Sequence, residues 1–298
     1  MATLYTHQTE NVAKTWVLMT LFIAVVLALG GFFSYYYQST GILYFAIIFS
    51  IFANIFSYWF SDKITLSVAG AKPVTREEYF DLYNAVENLS ITAGLPLPKI
   101  YVIPDNAPNA FATGRNKNHA TVAVTSGLLQ IMNKSELEGV IAHELSHIGN
   151  RDILLSTMVV VLVGMVSLLS NMFMRNMMFG GRRNNDDREN GNILAIIGIV
   201  LAILTPIIAT LIQLAISRKR EFLADSSGAL LTRYPEGLAS ALKKIGAYDA
   251  PMLKANTATA HLYISNPFGP NEKKVNFVAK LFLTHPPISE RIAALENN

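Results

Sequence analysis

The chain has 298 residues, of which 51% are hydrophobic and only 15% charged, with a net charge of +3 and a mean hydropathy of +0.33. A soluble domain carries about 25% charged residues, so this composition points to a bilayer. So small a net charge gives no sign of a nucleic-acid partner, and none is expected; the lack of cysteine excludes disulfides and thiolate metal ligands.

No charged residue occurs between Thr15 and Ser61, and the run is broken only at Gln38-Ser39-Thr40-Gly41. It reads as two helices, 15–37 and 42–61, each long enough to cross a hydrocarbon core of about 30 Å at 1.5 Å per residue. Tyr35, Tyr36 and Tyr37 at the break, with Tyr58 and Trp59 near the far end, suit interfacial aromatic belts. Residues 1–61 are therefore expected to be a two-helix membrane anchor. A cleavable signal peptide fits poorly, because a second span follows almost at once.

Residues 62–152 are polar enough to fold in water. Thr75 to Ala93 has the pattern of an amphipathic helix, with Thr75 and Glu78 as a capping box and Gly94 as its stop. Lys99–Ile103, Asn109–Thr113 and Ala120–Thr125 read as strands, the last two joined by the turn Gly-Arg-Asn-Lys-Asn. Ser135 to Ile148 is expected to be helical, with Ser135 as N-cap and Glu138 three residues on.

Two more uncharged runs follow, Ile153 to Met174 and Gly191 to Ser217, separated by the polar loop 175–190. They read as a transmembrane hairpin, 153–217, inserted into a domain that resumes over 218–298. An even number of spans puts both soluble pieces on one side. Eight Lys and Arg flank the spans on that side (Lys14, Lys63, Lys72, Arg76, Arg151, Arg218, Lys219 and Arg220) against four in the second connection, which favours a cytoplasmic domain.

The chemistry is carried by His143-Glu144-Leu145-Ser146-His147, an H-E-x-x-H motif. Four helical residues turn about 400°, so both imidazoles leave one face, within reach of one Zn²⁺. Glu144 lies beside the ligands, placed to take a proton from a zinc-activated water and return it to the leaving amine. Zinc needs a third protein ligand. Five residues past His147, a continued helix would point Asp152 about 140° away, which removes it as a ligand. Glu221 in Arg218-Lys219-Arg220-Glu221-Phe222-Leu223-Ala224-Asp225 is the better choice, because the membrane hairpin returns the chain beside His147. Asp225, one turn on, is placed to accept a hydrogen bond from a ligand imidazole. The expected fold is mainly α with a small β-sheet: a multi-span helical membrane protein with a zincin-like catalytic domain.

Two N-terminal spans, HELSHIGNRD leading into a third, then SRKREFLAD and THPPISERI, resemble the HtpX-type proteases of the M48 metallopeptidases over essentially the whole chain. The resemblance implies a gluzincin site with metal ligands His143, His147 and Glu221, catalytic Glu144 and one zinc ion per chain. It also implies a bacterial plasma-membrane enzyme with a cytoplasmic catalytic domain that degrades damaged or misfolded membrane proteins. Asn109-Ala110-Phe111-Ala112-Thr113-Gly114 is similar to the strand bordering the family's cleft, with Asn109 a candidate for binding the substrate backbone. Thr284-His285-Pro286-Pro287 is similar to the family's C-terminal motif, with His285 a candidate stabiliser of the oxyanion. An intramembrane-cleaving metalloprotease is the nearest alternative. The charged residues flanking the motif place it at or outside the membrane surface. A transporter or scaffold with a non-catalytic zinc site ranks lower, since transport needs ionisable groups within the spans and scaffolding needs no Glu144.

Overall fold

The computed structural model describes residues 4–162, 164, 218–256, 258–269 and 286–297. In chain order these form α1 (Leu4–Tyr36), α2 (Thr40–Ala69), β1 (Lys72–Pro73), α3 (Phe80–Thr92), β2 (Lys99–Ile103), β3 (Ala110–Gly114), β4 (Ala120–Thr125), α4 (Ser126–Ile131) and α5 (Lys134–Gly149). Then come α6 (Asp152–Leu162), α7 (Arg218–Thr232), α8 (Pro235–Gly246) and α9 (Ile288–Glu296). The protein is mostly helical with one small mixed sheet. Helix α6 opens the third apolar run; the rest of that run, the polar loop 175–190 and the fourth run lie outside the described residues.

Helices α1 and α2 are both long and apolar enough to cross a membrane. Their surface chemistry is inverted relative to a soluble helix. Trp16, Phe45, Ile48 and Phe52 are exposed, while Ser50, Asn54, Ser57, Ser61 and Thr65 are buried. In water that arrangement leaves large apolar side chains unburied; in lipid it is the stable one, with small and polar residues at helix contacts. Both helices extend beyond the apolar runs. The continuation of α2 to Ala69 delivers the chain directly to β1, so anchor and sheet share an element.

The sheet has strand order β1-β2-β4-β3, with β2 parallel to β4 and the other pairs antiparallel. Alternate side chains enter two different cores. On one face Ile100, Val102, Ala110, Ala112, Val122 and Val124 pack with α3, α5 and α8. On the other, Ile103, Phe111 and Ala123 meet Leu66 and Ala69 from the end of α2 and Met252 and Tyr263 from the segment after α8. Burial on both faces explains why the strands carry so little polar surface. The first core draws residues from both 82–153 and 238–295, so the two polar stretches of sequence fold around one centre.

Two helix starts differ from expectation. Thr75 and Glu78 do pair, the Thr75 N–H donating to the carboxylate at 3.1 Å. They staple a turn ahead of α3, which begins only at Phe80 because Tyr79 (φ −135°, ψ 59°) lies outside the helical region. Gly94 ends α3 as expected, at φ +63° with Leu95 N–H donating to Ser90 O, a conformation that favours glycine. Helix α5 is capped by Asn133 rather than Ser135. The Asn133 side chain accepts from Glu136 N–H, and the Glu136 carboxylate accepts from Asn133 N–H. Asn at this position also outcompetes Ser because Glu136 is buried and clamped from α8 by Ser240 (2.7 Å) and Lys244 (2.6 Å).

Candidate metal centre

Helix α5 runs through the middle of the soluble part and is buried almost throughout its length. Its reciprocal cap and the Lys244 and Ser240 contacts fix where it starts. Helix α7 fixes its lateral position: a Cβ on Gly228 would stand 3.0 Å from His143 N, so the two backbones touch. That contact sets Glu221 and Asp225, one turn apart on α7, against His143 and His147, one turn apart on α5.

The resulting geometry is that of a three-ligand cage. One ligand atom each from His143, His147 and Glu221 lies within 4.8 Å of the others. The two Nε2 atoms are 3.2 Å apart, and the Glu221 oxygens stand 3.7 and 3.8 Å from His147 and His143. Two nitrogens bound to one tetrahedral ion at 2.0–2.1 Å would be roughly 3.3 Å apart, so the spacing fits. The opposite ring edges are already committed. His143 Nδ1 faces Asp225 Oδ1 at 2.9 Å, and His147 Nδ1 faces Asp152 Oδ2 at 3.1 Å. Nδ1–H donation to a carboxylate leaves each Nε2 with a lone pair aimed at the other and at Glu221. A cation between them turns that repulsion into coordination, and the donor set suits a metal ion.

The electrostatics agree. Burial works to lower the pKa of His147, but the Asp152 hydrogen bond and the Glu221, Asp152 and Glu144 carboxylates override it and push the group up to about 9. At His147 the pocket favours positive charge, whereas burial and the nearby Arg291 charge lower the pKa of His143. Glu144 is fully buried, and that burial pushes its carboxyl up to about 7 against the opposing pull of His147. Its carboxylate also takes a backbone hydrogen bond from Ala112. Strand β3 is the edge of the sheet, and Asn109 O pairs with Thr125 N–H of β4. By alternation, Ala110 and Ala112 turn their main-chain groups outward. Ala110 O is taken by Ile264 N–H at 2.9 Å, so Ala112 is the edge residue that faces the pocket.

The model of the Peptidase family M48 matches residues 77–298. The chain belongs to family M48. Over nearly its whole length it is similar to curated family relatives. It is 50% identical to a protease HtpX homolog of Caldanaerobacter subterraneus over 300 residues, covering 99% of this chain and 98% of that one. It is 48% identical to a protease HtpX homolog of Pyrococcus furiosus, covering 95% and 94%. In fold it resembles the crystal structure of S. mikatae Ste24p, with a TM-score of 0.50 at 19% identity, covering 99% of this chain and 66% of that one. The chain is thus a protease of the M48 family, acting on polypeptides, with a site suited to a metal ion.

Most of the site residues read from the sequence are brought together by the fold. His143, Glu144, His147, Glu221 and Asp225 come together in one cluster, buried except for the partly exposed His147. His285 lies outside the described residues. Asn109 sits elsewhere: it is buried, its Nδ2 donates to Ser265 O at 2.9 Å and its Oδ1 accepts from Ser265 and Ala110 N–H. Both amide atoms are engaged within the chain, which makes Asn109 a joint between β3 and the 252–266 segment and leaves the outward edge to Ala112. Asp152 also differs from the helical extrapolation. Helix α5 ends at Gly149, Arg151 adopts φ +59°, and the turn swings Asp152 back beneath His147. It remains outside the ligand cluster but orients a ligand.

Arg291 was not singled out by the motif reading. It is wholly buried, grips Asp225 through Nε (2.8 Å) and Nη2 (2.7 Å), and donates from Nη1 to Ile264 O (2.9 Å). Its Nη2 is 3.4 Å from both ring nitrogens of His143, so the guanidinium lies alongside the ring rather than on one nitrogen. Its place in the Pro-Pro-Ile-Ser-Glu-Arg segment was the available signal. The buried His261, whose Nε2 lies 2.9 Å from Ser156 O, completes the pocket wall.

Proposed function

We propose that this protein is a zinc-dependent endopeptidase of a bacterial plasma membrane, with its catalytic domain on the cytoplasmic side, that removes damaged or misfolded membrane proteins. The observation that carries the reading is the convergence of His143 and His147 Nε2 and the Glu221 carboxylate within 4.8 Å, with Glu144 beside them. His143, His147 and Glu221 would hold one zinc ion. Zinc bound there supplies Lewis acidity, polarising a carbonyl and acidifying a water by several pK units.

The rest of the mechanism belongs to the chain. Asp225 and Asp152 hold the imidazoles in the Nδ1–H form, so that Nε2 is the ligand atom. Glu144, beside the ligands, would accept a proton from the attacking water and then give it to the departing amine. Ala112 offers its outward N–H and C=O to an extended substrate, which would release Glu144 from its Ala112 contact. His285 is assigned the stabilisation of the developing oxyanion. The cytoplasmic placement rests on the Lys and Arg bias, and the quality-control role on the kinship with HtpX.

The test is proteolysis of an unfolded protein and of a membrane protein by detergent-purified, zinc-loaded enzyme, beside Glu144→Gln. Cleavage by the parent alone, at sites in loops as well as spans, is the expected result. Cuts confined to spans would favour an intramembrane protease. Equal cleavage by both proteins would remove Glu144 from the chemistry.

A further inference from the structure

We infer that Asn11, on the N-terminal membrane helix, is a positioning residue for the metal centre, acting through Asp152 on the ligand His147. Asn11 lies on α1, only 2% exposed. Its Nδ2 donates to Asp152 Oδ1 and, at 3.1 Å, to Asn150 O. Asp152 holds His147 Nδ1 with its other oxygen at 3.1 Å. One buried carboxylate therefore binds a metal-ligand imidazole on one side and the anchor helix on the other. Arg220 Nη1, at 3.9 Å from Asp152 Oδ1, adds charge but stands beyond hydrogen-bond distance there.

The clamp also explains the turn. Asp152 reaches His147 only because Arg151 takes φ +59°, a conformation sparsely populated by residues with a Cβ. Asn11 bonds residues 150 and 152, one on each side of Arg151, and so holds the turn at both ends. Asn11 precedes Thr15, the start of the uncharged run, by four residues, about 6 Å of helix. Thr15 Oγ1 donates back to Asn11 O at 2.9 Å. The metal ligand is thus tied to α1 at the level where that helix enters the bilayer. The anchor is part of the site's support, and a displacement of α1 loosens His147.

This inference rests on the zinc site proposed above. Its test uses the full-length protein in detergent, with zinc affinity read by competition with a chelator and site geometry read from the visible spectrum after cobalt(II) loading. Removing a group that orients a ligand weakens metal binding 10–100-fold; one step further out, Asn11→Ala is expected at the lower end, about tenfold. The cobalt spectrum should move in the same sense as in Asp152→Asn. Asn11→Gln, which keeps the amide, should recover part of the loss, whereas Asn11→Asp, which sets carboxylate against carboxylate, should recover none. In an Asp152→Asn background Asn11→Ala should add less than about twofold, because the path it acts through is already cut. A purely structural role would lower the melting temperature while leaving affinity and spectrum unchanged, or give additive losses; either result overturns the inference. If the parent binds no zinc and His143→Ala changes nothing, the zinc site itself is wrong and the inference falls with it.

Discussion

Replacing Arg291 by Met removes a guanidinium that is wholly buried and leaves a side chain of similar length. The loss includes the two-pronged contact to Asp225, at 2.8 and 2.7 Å, and the bond to Ile264 O at 2.9 Å. Asp225 is itself buried, and would keep His143 Nδ1 as its one remaining partner among these contacts. Breaking a buried pair by removing one member costs about 3–5 kcal/mol, because an uncompensated charge stays behind. For a folded unit of this size each kcal/mol shifts the melting point by roughly 2–4 °C, so Arg291→Met should melt roughly 6–20 °C below the parent. Arg291→Lys restores charge without the planar fork and should recover only part of the loss. Asp225→Asn combined with Arg291→Met should cost less than the two changes summed, since no charge is then left alone. The assay is thermal unfolding of the metal-free proteins in detergent, followed by intrinsic fluorescence. A melting point for Arg291→Met within about 2 °C of the parent would refute the reasoning that this pair pins α9 to α7.

Glu221→Gln should sharply cut zinc occupancy, measured by metal analysis after dialysis, while the fold is retained; full occupancy would remove Glu221 from the ligand set. Gly228→Ala places a Cβ 3.0 Å from His143 N and 3.2 Å from Ala142 C, backbone atoms that cannot rotate away. Overpacking of this kind costs about 1–3 kcal/mol, and pushing α7 from α5 should also weaken zinc binding severalfold in the chelator assay. Glu136→Gln should destabilise the protein by about 1–2 kcal/mol at pH 7, through its cap and its bonds to Ser240 and Lys244. Burial opposes ionisation of Glu136, but the Lys244 hydrogen bond and its neighbours hold its carboxyl below the usual 4.5. A depressed folded pKa stabilises fully above the unfolded value and is lost as pH falls through the folded one. The gap between parent and Glu136→Gln should therefore be wide at pH 7 and narrow below pH 4.5, as read by thermal melts; a gap independent of pH would refute it.

The features legible in the sequence are those that short-range physics fixes. The uncharged runs identify α1 and α2, because burying charge in lipid is expensive over any stretch of that length. Alternation and β-branching identify β2, β3 and β4, and Gly94 marks the end of α3 through its left-handed conformation. The spacing of His143 and His147 is a property of the helix alone, and a chain that leaves α5 and re-enters as α7 has few places to put Glu221. Extrapolation failed where a local rule was carried past its element. Asp152 was read on the face of a helix that had already ended at Gly149. For Asn109, a candidate for the substrate backbone by its strand, the local sequence gives no sign that Ser265, 156 positions away, engages its amide.

Composition and helical spacing thus determined by themselves that this chain carries long apolar helices and a paired-histidine helix. Only the tertiary structure decided how the site is supported. Arg291, Asp152 and Asn11 arrive from three separate elements or turns, and nothing in their neighbouring residues encodes which partner each meets. A buried carboxylate must be satisfied, but the sequence does not say by whom. That choice is made when the chain closes and each buried charge takes the donor that packing has placed within reach.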